Sequence, residues 1–117
     1  MDLPASEIAR NRKFPRRGFN RGLGCLCDGK YTVGHGVQIG EGGLSFSLGQ
    51  QFANQKEVVL SFQVPGGSFI SVRAEMSDLK KGEKPGQFIL ICLFKNLKFE
   101  HKREIRAYVS ARSEFEE

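Results

Sequence analysis

The chain has 117 residues, 39% hydrophobic and 26% charged, with a net charge of +5 and a sequence pI near 9.3. That length supports one domain with one modest core and excludes two. The longest apolar run, Phe88 to Phe94, is far short of the roughly 20 residues a spanning helix needs, the segment Met1–Glu7 has no apolar leader core, and three cysteines do not make a secreted disulfide scaffold. The compartment these features imply is the cytoplasm.

The positive charge is concentrated. Arg10, Arg12, Lys13, Arg16, Arg17 and Arg21 fall in one stretch with no acid between them. A cationic cluster of this kind favours an anionic partner. Residues 1–11 are expected to be a flexible arm. Residues 12–21 combine arginines with Phe14, Pro15, Gly18 and Phe19, and Pro15 and Gly18 argue against a helix there. The segment therefore reads as a basic loop leading into the first strand, and Phe14 and Phe19 either pack it down or offer faces for stacking.

From residue 22 to 95 the pattern is β. Leu23, Cys25 and Cys27 alternate with Gly24 and Leu26, and Asp28-Gly29 signals a tight hairpin. Tyr31 to Ile39 reads as a second strand weakened by Gly34 and Gly36. Glu41-Gly42-Gly43 reads as a turn whose glycines need a positive φ. Leu44 to Leu48 alternates, as do Val58 to Val64 and Ile70 to Met76, with Pro65-Gly66-Gly67 as the turn between the last two. Phe88 to Phe94 is apolar on both faces, so its outside requires a cover. The segment 100–113 supplies a helix with Ile105, Tyr108 and Val109 on one stripe and Arg112 at the next turn, and packing on the last strand is expected. The fold these elements specify is all-β: a six-stranded antiparallel barrel with a C-terminal α-helix.

In this order, the elements resemble the PilZ domain family. Arg12-Lys13-Phe14-Pro15-Arg16 matches its entry motif, Arg-x-x-x-Arg, and Gln38-Ile39-Gly40-Glu41-Gly42-Gly43 stands where its Asp/Asn-x-Ser-x-x-Gly motif belongs. The last strand and the helix also match, giving a PilZ-like, split-barrel domain over 12–115. The resemblance implies binding of the bacterial second messenger cyclic di-GMP, which is a ligand and not a cofactor. It implies contacts from Arg12 and Arg16, with Arg17 beside them, and from Gln38, Gly40 and Gly43. Arginine suits this guest because its planar fork holds phosphate oxygens in pairs, stacks on purines and meets the guanine O6/N7 edge.

The second motif departs from the pattern at Gln38 and Gly40. Each missing neutral hydrogen bond costs about 0.5–1.5 kcal/mol, so two losses correspond to roughly one to two decades in affinity. Restoring the motif with Gln38→Asp and Gly40→Ser is expected to tighten binding. Three functions follow: a stand-alone receptor or adaptor that signals by a ligand-dependent change of surface, a degenerate adaptor acting through protein contacts in motility, secretion or polysaccharide machinery, and a small basic nucleic-acid-binding barrel. The third ranks last because the strands show no row of aromatics among basic residues. The protein partner is unidentified and membrane insertion is not expected.

Catalysis and metal binding find no support in the sequence. Cys25 and Cys27 share a strand face but have only His35 and His101 as further ligands, a poor zinc signature. They read as small packing residues, with Cys92 in the core. His35 has no serine–acid partner and no carboxylate pair stands out, so no enzyme is expected.

Overall fold

A computed structural model of the chain describes residues 15–49 and 57–111. The expected arm 1–11, Arg12, Phe14 and Arg112 lie outside these residues. Among the described residues, seven strands and one helix follow in order: β1 (Arg16–Gly18), β2 (Gly22–Cys27), β3 (Lys30–Gly40), β4 (Gly43–Leu48), β5 (Glu57–Gln63), β6 (Phe69–Lys81), β7 (Phe88–Lys95) and α1 (Phe99–Ala111).

All pairings are antiparallel. The sheet runs β3-β2-β5-β6-β7-β4 and returns to β3, which closes a six-stranded barrel. The short β1 is the extra strand. It extends the β2 side of β3, opposite Gln38 to Gly40. The expected basic loop is therefore ordered as a strand at its end, because the Phe19 amide donates to the Val37 carbonyl at 3.0 Å and Gly36 donates to the Arg21 carbonyl at 2.7 Å.

Turn chemistry fixes the register. Asp28 and Gly29 have φ of 56° and 77°, the pair of positive values a type I′ hairpin needs. Between β5 and β6, Gly67 donates to the Val64 carbonyl across Pro65-Gly66, with Gly66 at φ 79°. This is the type II geometry that favours Pro then Gly. Strand β6 runs on past Met76 to Lys81 through a bulge between Met76 and Asp78. Its polar second half pairs with the apolar half of β7, which the local pattern alone does not reveal.

The core fills the barrel. Phe19, Ile39, Phe46, Leu60, Ile70, Leu90 and Cys92 are fully buried, each large apolar side chain contributing about 1.5–3 kcal/mol relative to exposure. Phe19 meets Phe62 edge-on at 5.8 Å between centroids, so it packs the basic segment down. Gly36 leaves room for this, since a Cβ there would stand 2.3 Å from the Phe19 carbonyl oxygen.

The helix packs elsewhere than expected. Ile105 and Val109 are buried, and α1 lies against β3 and β1, not along β7. The outward face of β7 is covered only in part: Ile89 and Ile91 are half-buried and Leu93 is 46% exposed. Closure of the barrel brings β7 beside β4, which leaves this second apolar face next to the cleft described below.

Candidate functional site

The β1–β3 register sets Arg16 opposite Gly40 and Gly18 opposite Gln38. The end of the basic segment and the second motif are thus neighbours in space. Arg16, Gln38 and Gly43 line one small cleft with Ser45, Ile91 and Leu93. Arg16, Gln38 and Ser45 supply the polar part of its lining, and Ile91 and Leu93 of β7 the apolar part. Such a surface can meet an anion with the first and the face of a flat ring with the second. Arg12 lies outside the described residues.

Arg17 takes a different place. Successive strand residues point to opposite faces, and the Arg17 guanidinium turns to the helix. It donates to the Tyr108 carbonyl at 2.9 Å and its carbon stands 4.2 Å from the Tyr108 ring centroid. The Tyr108 hydroxyl donates back to the Gly18 carbonyl at 2.7 Å. Arg17 therefore joins β1 to α1.

The two motif glycines serve close approach. A Cβ on Gly40 would stand 2.7 Å from the Pro15 carbonyl oxygen and 3.2 Å from the Arg16 Cγ. The Ser of the family pattern at this position would therefore displace β1 as it lies here. A Cβ on Gly43 would stand 2.2 Å from the Cys92 carbonyl oxygen. The expected positive φ is absent at both Gly42 and Gly43, since the positive-φ glycines among the described residues are Gly29, Gly66 and Gly86. Gly43 is instead a strand residue where β4 crosses close to β7.

Two further ties anchor the helix to the barrel. Glu41, only 8% exposed, accepts from Arg106 Nε at 2.8 Å and Nη2 at 3.0 Å. This bidentate pair raises the Arg106 pKa above its ordinary value, through the hydrogen bond first and the charge second. Glu104 accepts from the Ser68 amide and hydroxyl, both at 2.8 Å. Those two bonds hold the Glu104 carboxyl below the usual range. The Glu41–Arg106 pair spans 65 residues and has no local sequence signal. Ile91 and Leu93 did have one, the two-faced apolar strand.

Other candidates resolve as packing. Cys25, Cys27 and Cys92 are free and buried, and burial pushes the Cys25 and Cys92 thiols up to about 12. No group of three metal-ligating side chains occurs among the described residues. His35 hydrogen-bonds the Asn20 side chain through Nε2. No helix among the described residues is long and apolar enough to cross a membrane.

Comparison with known proteins agrees with this architecture. No curated protein sequence matches the chain. Among solved structures, the Bacillus subtilis inhibitor of motility MotI/DgrA superposes with a TM-score of 0.80 at 14% identity, over 91% of this chain and 53% of that one. Escherichia coli YcgR in complex with c-di-GMP gives 0.65 at 14%, over 89% and 46%. The isolated PilZ domain of YcgR with c-di-GMP gives 0.61 at 14%, over 89% and 96%. The chain thus spans about half the length of MotI and of whole YcgR. At these identities the likeness shows the fold. The PilZ domain profile matches residues 10–111, nearly the whole chain, and this chain belongs to the PilZ domain family.

Proposed function

We propose that this domain is a receptor for cyclic di-GMP, bound between the basic segment and the cleft of Arg16 and Gln38. The observation that carries the reading is the β1–β3 register, which sets Arg16 beside the second motif and the apolar lining of Ile91 and Leu93. Arg12 and Arg16 hold the phosphates, Gln38 meets a guanine edge, and Ile91 and Leu93 support a ring face. YcgR, a neighbour in fold, was solved with this ligand. Binding is expected to be weakened by the absent Ser hydroxyl at Gly40, and signalling follows from the ligand drawing the basic segment over the cleft. Calorimetric titration of the full chain with cyclic di-GMP tests this. Saturable binding in the micromolar range, reduced at least tenfold by Arg16→Ala, is expected. Absence of both heat and a shift in melting temperature at high micromolar ligand overturns it.

Two observations favour a second reading. The Pro15 carbonyl oxygen lies 2.7 Å from where a Cβ on Gly40 would stand, and Arg17 is engaged by Tyr108. Both suit an adaptor whose basic segment is committed to the barrel and which acts through protein contacts. A binding partner retained by the Arg12→Ala/Arg16→Ala double variant, with no dinucleotide binding by the parent chain, supports this reading over the first.

A further inference from the structure

A second surface lies on the barrel wall away from the Arg16 cleft. Two open clefts, of about 690 and 600 Å³, meet at Phe69, which lines both. Phe69 is 66% exposed, and Tyr31 and Val33 on the first cleft are 63% and 68% exposed. Solvent-facing aromatics of this size mark interaction surfaces.

The strand register explains the shape. Gly24 pairs with Ser61, and Ser61 pairs with Ser71, so a row of minimal side chains crosses β2, β5 and β6. The Tyr31 ring lies against Gly24, where a Cβ would stand 2.2 Å from the Tyr31 hydroxyl oxygen. Phe69 stands on the other side, opposite Gln63. Tyr31, whose ring covers Gly24, and Phe69 thereby flank a slot floored by Ser61 and Ser71, a seat for one inserted apolar side chain.

The charge lining the two clefts has one sign. Arg21 lines the first cleft, and Arg73, Lys95 and Lys98 line the second, while neither is lined by Asp or Glu. Of the carboxylates nearby, Glu57 pairs with Lys95 at 2.9 Å and Glu75 also acts on Lys95, while Glu104 keeps its charge and accepts from Ser68 at the edge of the slot. The centre of the slot is neutral, with the cations at its two ends.

From this arrangement we propose that the Tyr31–Phe69 face docks an extended acidic segment of a protein partner, with one aromatic or large aliphatic side chain inserted between the two rings. The inserted side chain loses its contact with water, and the flanking carboxylates meet Arg21 at one end and Arg73 and Lys98 at the other. A single nucleic-acid strand fits less well, because it needs a continuous cationic track and successive stacking platforms, and the small-residue centre offers neither.

Selection of a random heptapeptide display library on the full chain, with counter-selection on Phe69→Ala, tests the proposal. Enrichment of sequences with Asp or Glu flanking an aromatic or large aliphatic residue is expected. A synthetic peptide of the enriched sequence is then expected to bind at least tenfold more weakly to Phe69→Ala and to Arg73→Glu/Lys98→Glu. Circular dichroism verifies that both variants are folded, and the exposure of the three side chains makes folding the expected result. No enrichment over Phe69→Ala, or enriched peptides without acidic residues, overturns the proposal. So does oligo-dT that binds the same face more tightly than the peptide does.

Discussion

Arg17 and Tyr108 hold each other by two contacts at once: the guanidinium donates to the Tyr108 carbonyl at 2.9 Å and stacks on the Tyr108 ring at 4.2 Å. Arg16, the preceding residue, points to the other face of β1 and lines the cleft. Adjacent arginines thus divide the work, one at the candidate ligand surface and one at the helix. A single peptide unit of the three-residue β1 joins the two.

Arg17→Ala is expected to destabilise the fold by about 1–3 kcal/mol, because it removes a charged hydrogen bond and a cation–π contact. Tyr108→Phe keeps the ring under Arg17 and loses only the bond to Gly18, a cost of about 0.5–1.5 kcal/mol. Urea denaturation of both variants checks the ranking. An Arg17→Ala midpoint equal to that of the parent would show that the contact is idle.

Gly43→Ala is expected to cost about 1–3 kcal/mol through overpacking, since the new methyl meets the Cys92 carbonyl where β4 and β7 close the barrel. Gly40→Ser acts locally. It pushes on Pro15 and loosens β1, so faster amide exchange is expected at Phe19, whose amide donates to Val37. This alters the expectation from sequence that the Gln38→Asp/Gly40→Ser double variant simply tightens binding. Gln38→Asp alone, which leaves β1 undisturbed, is the cleaner gain-of-affinity variant. Melting temperatures and exchange rates separate the two glycines.

Acid weakens the attachment of the helix. The folded-state pKa of Glu104 is depressed by the Ser68 bonds below the usual 4.5, so its contribution is fully present above that value and is lost as pH falls through the lower folded value. Glu57, held down by Lys95, acts with the same sign. Lys95 acts at the other end, its raised pKa giving a contribution that fades above 10.5. Glu104→Gln is expected to lower the neutral plateau of a melting-temperature profile and to flatten its acid limb, so that variant and parent converge below pH 4.5. A parallel profile in parent and variant would remove Glu104 from this role.

The barrel was legible because its signals are local: period-two alternation, Asp28-Gly29 and Pro65-Gly66-Gly67 each act within a few residues. The helix was legible from the spacing of Ile105, Tyr108 and Val109. Its docking was not, since Glu41–Arg106, Ser68–Glu104 and Arg17–Tyr108 join residues far apart in the chain, and no local pattern encodes which sheet face receives the helix. The two-faced β7 led to the expectation of a helical cover, but the helix packs on β3 and β1 and Leu93 stays 46% exposed. At the site, Arg16, Gln38 and Gly43 do meet, whereas Gly40 lies under β1 and Arg17 faces away from the cleft.

The three cysteines offer a test of the closed barrel itself. Cys25 and Cys27 point inward from β2 and Cys92 inward from β7, all buried. Burial is the main cause of their raised pKa values, with the Cys25 and Cys92 thiols pushed up to about 12. The thiolate is the reacting species, so at pH 8 both low exposure and a scarcity of thiolate act against alkylation. Iodoacetamide is expected to leave the native protein unmodified and to label all three cysteines in denaturing urea. Protection should fall in step with the equilibrium unfolding curve, because access requires opening the barrel and not local fraying. Rapid labelling of any one cysteine in the native protein would mean that β2 or β7 opens independently, and the closed β4–β7 seam beside Arg16 could then not serve as a fixed wall of the site.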